Sequence, residues 1–209
     1  LAPEQIDQLL EAASGSRLYI PIVLAVATGM RRGEILGLRW QDVDLNAGTI
    51  SVCRTLEITK RSIAFKEPKS AKSRRVITLP AFAVEALRRH KIEQAEHRLR
   101  MGPAYEDQGL VCATERGAPI INNFERDYLA LLDKANVPRV RFHDLRHTHA
   151  TILLASNVHP KIVSERLGHS AIGVTLDVYS HVLPAMQQEA AAKLDTLLQQ
   201  ARSANPRKC

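Results

Sequence analysis

The sequence has few cysteines and no long hydrophobic run. Its three cysteines, Cys53, Cys112 and Cys209, are far apart and form no Cys-x-x-Cys pair, so no disulfide framework is indicated. The apolar stretch LYIPIVLAVATGM, residues 18–30, is too short to cross a bilayer and is followed at once by charge. We find no signal peptide. These features favour an intracellular protein in a reducing compartment.

The sequence also lacks internal repeats and low-complexity tracts. Its 209 residues suffice for one large domain or two small ones, and 45% of them are hydrophobic, which excludes a disordered chain. The first residues, LAPEQIDQLLEAA, already follow a helical pattern and include no initiator Met. We therefore expect the chain to be part of a longer protein.

Basic residues are concentrated in one window. The chain carries a formal net charge of +7 and a sequence pI ≈ 9.6, which favours a polyanionic partner. Between residues 60 and 75 there are seven basic residues and one acid, Glu67. The basic residues are Lys60, Arg61, Lys66, Lys69, Lys72, Arg74 and Arg75. The charge is therefore a local patch, which could contact nucleic-acid phosphates or form a solvated hairpin surface.

Hydrophobic periodicity predicts a mainly helical α+β fold with one small three-stranded antiparallel sheet. Helical periods occupy residues 1–13, 19–29, 31–38, 81–100, 122–135 and most of the chain after 143. Alternating, β-branched segments occupy residues 48–59, 62–65 and 74–80. The basic window then lies on a β-hairpin and its exposed loop.

The segment RFHDLRHTHA, residues 141–150, allows two chemical interpretations. His143 and His147, one helical turn apart, could bind zinc, with Asp144 where a metalloprotease has glutamate. Arg146 would oppose a cation there, and no third ligand is evident. Alternatively, His143 and Arg146 point together into solvent or a cleft and bind phosphate, while Leu145 and His149 face the core.

Two other segments contain candidate site residues. Arg31 follows the glycine that ends a buried helix, and Glu34, three residues later, could hold its guanidinium in a bidentate pair. His169 lies at a break between helices, and Tyr179 follows ten residues later. Taken alone, each of these is better explained by an ordinary surface pair or by packing.

Together, the segments TGMRRGEILGLRW, PKSAKSRRVITLP, HDLRHTHAT and LGHSAIGVTLDVYSHV resemble, in this order, the signature boxes of the tyrosine recombinase (phage integrase) family. The resemblance covers about residues 1–200. It implies a catalytic set of Arg31, Lys69, His143, Arg146, His169 and Tyr179. Lys69 follows Pro68 as in the family's Pro-Lys-Thr pattern, although Ser70 replaces the threonine, and Lys72 is an alternative.

The resemblance implies a site-specific recombinase or integrase of a phage or other mobile element. It would cleave and rejoin DNA through a covalent 3′-phosphotyrosyl intermediate, without metal or other cofactor, which agrees with the lack of a Walker-type loop. Lys60, Arg61, Lys66, Lys72, Arg74 and Arg75 would contact double-stranded DNA, and Glu34 would support Arg31. Residues 1–209 would form the catalytic domain, without the family's N-terminal core-binding domain.

The family further implies a homotetramer on synapsed DNA in the cytoplasm of a bacterial host, with no membrane involved. We expect the fragment to be monomeric without DNA. Other interpretations remain open at this stage: a chromosome-dimer-resolving recombinase, a type IB topoisomerase-like enzyme, a non-catalytic DNA-binding module and a zinc hydrolase. The sequence also leaves open whether the C-terminal helix packs in cis or on a neighbouring protomer.

Overall fold

The computed structural model describes residues 1–59, 62–67, 74–169, 171–173, 175 and 191–200. Within these residues the α-helices are α1 Pro3–Ala13, α2 Tyr19–Thr28, α3 Arg32–Leu36, α4 Ala81–Met101, α5 Phe124–Lys134, α6 Asp144–Ala155 and α7 Pro160–Leu167. Residues 191–200 are also helical. The strands are β1 Val43–Asp44, β2 Thr49–Val52, β3 Thr55–Ile58, β4 Ile63–Lys66 and β5 Arg75–Thr78. The predicted mainly helical fold is confirmed.

Helix α2 is the central element of the core. Its sequence, YIPIVLAVAT, is apolar on every face, so the helix can be stable in water only when other elements surround it. Helices α1, α3, α4 and α6 pack around it. Because α2 contacts α6 and its last residue, Thr28, is buried, the chain segment that follows α2 begins close to α6.

The β-strands form two small sheets. Strands β1, β2 and β5 form a three-stranded antiparallel sheet, with Ile50 opposite Ile77, and β3 and β4 form a separate hairpin. A small antiparallel sheet is therefore confirmed, but its third strand is β1 and not the predicted segment 62–65, which pairs with β3 instead. The sequence predicted one continuous strand over residues 48–59. That detail is wrong, because the chain leaves the first sheet at Cys53 and Arg54, where Arg54 pairs with Asp42.

Helices α6 and α7 enclose a small hydrophobic cluster of their own. Its buried residues are Ala150, Leu154, Val163 and Leu167. Helix α7 also packs against β5. Gly168 ends α7 in the left-handed region at φ 68°, which confirms the predicted break before His169. None of the helices that the structure describes is long and apolar enough to cross a membrane.

Candidate active site

Arg31 lies where the chain turns from α2 into α3. Gly29 makes this turn at φ 66°, and a Cβ added there would lie 2.6 Å from Leu167 Cδ2, so glycine is required. The backbone N–H of Arg31, at the N-cap of α3, donates to Glu34 Oε2 at 2.9 Å. Its Nη1 donates to Glu34 Oε1 at 3.0 Å, while 44% of the side chain stays exposed. The guanidinium is thus anchored at one nitrogen and still accessible.

Glu34 makes its bidentate pair with Arg75, whereas the sequence interpretation assigned that pair to Arg31. Arg75 Nη1 and Nη2 donate to the two carboxylate oxygens at 3.1 and 2.8 Å. Burial alone raises the pKa of the Glu34 carboxyl, but the hydrogen bonds and charges of Arg75 and Arg31 outweigh it, and the pKa lies below its usual range. Glu34 is therefore an ionised carboxylate shared by two arginines.

Arg75 was grouped by sequence with the exposed DNA contacts, and the structure corrects this placement. Only 7% of its side chain is exposed, and its Nε also donates to the carbonyl of Arg166 at 2.7 Å. Arg74, its neighbour, is exposed and pairs with the exposed Glu67. Side chains alternate between faces along an extended chain, so one of two successive arginines must turn inward.

Arg146 reaches the same turn from α6. It is only 4% exposed, and its Nη1 donates to the carbonyl of Gly29 at 2.7 Å. Gly29 stands two residues before Arg31, so this hydrogen bond fixes α6 against the α2–α3 turn. The structure therefore brings the two arginines together from positions far apart in the sequence.

His143 lies at the N-cap of α6, with its ring edge-on to that of His147 at 5.5 Å between centroids. Burial lowers the pKa of His143, and interactions with His147, Arg146 and Arg31 lower it further, while Asp144 opposes them. Arg31 is thus one of the cations that act on His143. His143 is therefore neutral at neutral pH and can accept a proton.

His169 follows Gly168 directly and faces the same cations. Its Nδ1 lies 2.8 Å from the hydroxyl of Thr175. Burial lowers the pKa of His169 to about 4, helped by the charges of Arg146 and Arg31. When Thr175 donates to Nδ1, the proton of the neutral ring is on Nε2, which can then donate to a phosphate oxygen.

Several predicted site residues lie outside the described residues. These are Lys69 and Tyr179 of the catalytic set and Lys60, Arg61 and Lys72 of the DNA-binding set. Of the remaining cations, Lys66 and Arg74 are exposed and pair with Glu57 and Glu67. Both pairs are in water, where a pair contributes about 0–1 kcal/mol and exchanges easily for a phosphate.

The described part of the chain offers little support for a zinc site. No group of three or more His, Cys, Asp or Glu side chains is placed there to hold a metal ion. Asp144 is engaged by Arg141, whose Nη2 donates to it at 2.8 Å. The arrangement around His143 is a cluster of cations, which suits an anion.

Sequence reasoning missed two contributors to the site. Arg166 donates from Nη2 to the carbonyl of Ala27 at 3.1 Å and from Nη1 to that of Thr78 at 3.2 Å, so it ties α7 to α2 and β5. Thr175 orients His169. Nothing in the local sequence distinguishes these side chains, because their partners are backbone carbonyls or a residue in the next segment.

Comparisons with known proteins establish the family of this chain. The sequence model of the phage integrase family matches residues 1–186, and the chain therefore belongs to that family. It is 36% identical to a "Tyrosine recombinase XerC-like" protein of Caldanaerobacter subterraneus subsp. tengcongensis, over 93% of this chain and 53% of that protein. It is 31% identical to an integrase of Streptomyces ambofaciens, over 91% of this chain and 51% of the relative. The chain thus spans about half the length of these relatives.

Solved structures of recombinases share the fold. The crystal structure of XerA recombinase superposes with a TM-score of 0.72 at 25% identity, over 91% of this chain and 64% of that one. The Tn1549 transposon integrase in complex with circular intermediate DNA superposes with a TM-score of 0.74 at 25% identity, over 94% and 66% of the two chains. The tyrosine recombinase architecture expected from the sequence is confirmed.

Proposed function

We propose that this chain is the catalytic part of a site-specific tyrosine recombinase that integrates a phage or other mobile element. The observation that carries the proposal is the convergence of Arg31, His143, Arg146 and His169, from three separate segments, on one cationic cluster. Family membership and the integrases among its relatives support it. The substrate is double-stranded DNA, and no metal or other cofactor takes part.

The cationic cluster suits the charge that develops on a DNA phosphodiester. Attack on phosphorus leads to a five-coordinate state with more negative charge on the non-bridging oxygens than the ground state has. Arg31 offers an accessible guanidinium, and Arg146 approaches the same turn. Both guanidinium groups would stabilise that charge, and His169 would donate one further hydrogen bond.

Tyr179 is the proposed nucleophile. Its phenol, with an ordinary pKa of about 10, needs a proton acceptor and a cationic field to react at neutral pH. His143 would accept the proton, because its lowered pKa keeps the imidazole neutral. The Tyr179 oxygen would bond to phosphorus as the bond to the 5′-oxygen breaks, giving a 3′-phosphotyrosyl ester.

Lys69 is the proposed general acid, with Lys72 as its alternative. It would protonate the departing 5′-oxygen. The tyrosyl ester conserves the energy of the broken bond, so attack by a second 5′-hydroxyl reverses the steps and joins a new strand. Strand exchange then needs no nucleotide cofactor.

The exposed cations Lys60, Arg61, Lys66, Lys72 and Arg74 would contact the DNA backbone, which positions the duplex without reading its sequence. We propose a homotetramer on two synapsed duplexes and a monomer in the absence of DNA. The site of action would be the cytoplasm of a bacterial host.

A second candidate is a recombinase that resolves chromosome dimers. It is favoured by the 36% identity to the XerC-like protein and by the structural likeness to XerA. The chemistry would be the same and only the DNA site would differ. Recombination assays on the DNA flanking the gene and on the replication-terminus region of the host chromosome distinguish the two candidates.

The decisive experiment uses a nicked suicide DNA substrate carrying a candidate core site, in EDTA. We expect a covalent protein–DNA adduct on a denaturing gel, and we expect Tyr179→Phe to abolish it. Strand cleavage that occurs without EDTA and is abolished in EDTA would instead support the metal interpretation. Failure of the full-length protein to form an adduct, despite binding the DNA, would favour a non-catalytic DNA-binding module.

A further inference from the structure

We propose that Arg75 is a positioning residue that sets the relative placement of Arg31, His169 and the C-terminal end of the lysine-bearing loop. This inference rests on the proposed recombinase function. Arg75 itself would touch neither the phosphate nor the attacking tyrosine. It would act through the groups that its buried guanidinium holds.

The first link runs through Glu34 to Arg31. Arg75 occupies both oxygens of the Glu34 carboxylate, at 3.1 and 2.8 Å. Those oxygens also receive the backbone N–H and Nη1 of Arg31. Because a bidentate guanidinium fixes the plane of a carboxylate, Arg75 determines the direction from which Glu34 meets Arg31.

The second link runs to the end of α7 and so to His169. Arg75 Nε donates to the carbonyl of Arg166 at 2.7 Å, in the last turn of that helix. A Cβ added at Gly168 would lie 2.9 Å from Arg75 Nη1, so the backbone just before His169 rests directly on the guanidinium. The charge of Arg75 is also among those that lower the pKa of His169.

The third link is covalent. Arg75 is the first residue of β5, and the loop that precedes it carries Lys69 and Lys72. Its three hydrogen bonds, to Glu34 and to Arg166, fix this end of the loop against α3 and α7. One buried side chain thus connects three parts of the chain, each of which supplies a different catalytic group.

The ion pair of Arg54 with Asp42 provides a matched control. It is also largely buried, with 19% and 9% of the two side chains exposed, and it joins the β2–β3 connection to the turn before β1. Loss of this pair should reduce stability without disturbing the links described above. Arg75→Ala and Arg75→Lys are therefore compared with Arg54→Ala and Arg54→Lys, at a temperature where all four variants are folded.

The first measurement is made on the full-length protein with the suicide substrate. We expect Arg75→Ala to slow adduct formation at saturating DNA by roughly 10- to 100-fold, because small misplacements of reacting groups have effects of this size. Arg75→Lys should recover part of the rate. The DNA dissociation constant and its salt dependence should stay unchanged. Arg54→Ala should react within about twofold of the wild type.

Two outcomes of that measurement would overturn the proposal. Equal rate losses in the Arg75 and Arg54 variants would mean that Arg75 only stabilises the fold. Weaker DNA binding with a salt slope reduced by about one, at an unchanged saturating rate, would mean that Arg75 contacts a phosphate directly.

A second measurement does not depend on DNA cleavage. The imidazole of His169 is titrated by NMR in the wild type and in Arg75→Lys, which keeps the charge but loses the bidentate contact. We expect its pKa to rise from about 4 towards the ordinary 6.5 as the residue becomes better hydrated, and to stay unchanged in Arg54→Lys. An unchanged titration in Arg75→Lys contradicts the proposal. Absence of any adduct in the wild type is a different result, which contradicts the proposed function.

Discussion

Arg74 and Arg75 are neighbours in the chain, yet they belong to regions with opposite properties. Arg75 lies in an interior network with Glu34 and the carbonyl of Arg166, where side chains are almost fully buried. Arg74 lies beside the β3–β4 hairpin, where its pair with Glu67 and the pair of Lys66 with Glu57 are largely exposed. The same residue types are therefore used in two different ways.

The difference shows how the proposed phosphate site would be divided between cations of fixed position and cations that can adjust. Interior cations cannot reorient without leaving a charge unpaired, so they hold a fixed geometry, as stabilisation of a transition state requires. Exposed cations lose little when they exchange a carboxylate for a phosphate, so they can follow a DNA backbone. Substitutions of interior and exposed groups test this division.

The largest expected effect concerns stability. Glu34→Ala leaves the buried guanidinium of Arg75 without its carboxylate, and we expect a loss of about 3–5 kcal/mol in the free energy of unfolding. Glu57→Ala, its exposed counterpart, should cost less than about 1 kcal/mol. Urea denaturation at neutral pH measures both. Similar losses in the free energy of unfolding for the two variants would contradict the proposed difference between interior and exposed ion pairs.

An intermediate effect concerns pH. His149 donates from Nδ1 to the carbonyl of Val26 at 2.7 Å, and burial lowers its pKa from 6.5 to about 4. The unfolded chain therefore binds a proton in a range where the folded chain does not. The contribution of the neutral His149 to the free energy of unfolding is fully present above pH 6.5. It is lost as pH falls towards 4, by an amount on the order of 1–3 kcal/mol.

Thermal unfolding of the wild type and of His149→Gln across this range measures the effect. The glutamine side chain is uncharged throughout, so the variant should lose less stability on acidification than the wild type does. If both proteins show the same pH dependence, the interior histidine is not the group responsible.

The smallest expected effect concerns DNA binding by an exposed cation. Arg74→Ala should lower affinity modestly for every DNA sequence and reduce the slope of log K against log salt by about one, because one phosphate contact is removed. Arg139→Ala, which removes an exposed arginine paired with Asp133 beyond α5, is the matched control. Salt titrations by fluorescence anisotropy compare the two variants. An equal slope change in both would show that the effect is general charge and not a contact by Arg74.

Much of the fold was predictable because local signals were strong. Pro3 in the first turn of α1, Gly29 after α2 and Gly168 after α7 mark helix ends by their own backbone preferences. The sheet was less predictable. Residues 48–59 alternate throughout, and the break at Cys53 depends on the pair of Arg54 with Asp42, which is a tertiary contact.

The candidate site was predictable as a set of residues and much less so as a geometry. Arg31, His143, Arg146 and His169 follow from three of the four signature segments, since each segment has a recognisable pattern. The pattern could not distinguish Arg75 from Arg74, or assign Glu34 its main partner. Both points depend on which face of β5 meets α3 and α7.

By itself, the sequence determined the family, the helical character, the basic window and the residue types of the site. These features depend on short-range patterns, which can be recognised from residues that are close together in the sequence. Only the tertiary structure decided that Arg146 donates to Gly29, that Glu34 is shared by two arginines, and that Arg75 is interior. The contacts of Arg75 with Glu34 and of Arg146 with Gly29 join residues 41 and 117 positions apart. They form only when packing around α2 has placed α3, β5, α6 and α7 against one another, which no local pattern encodes.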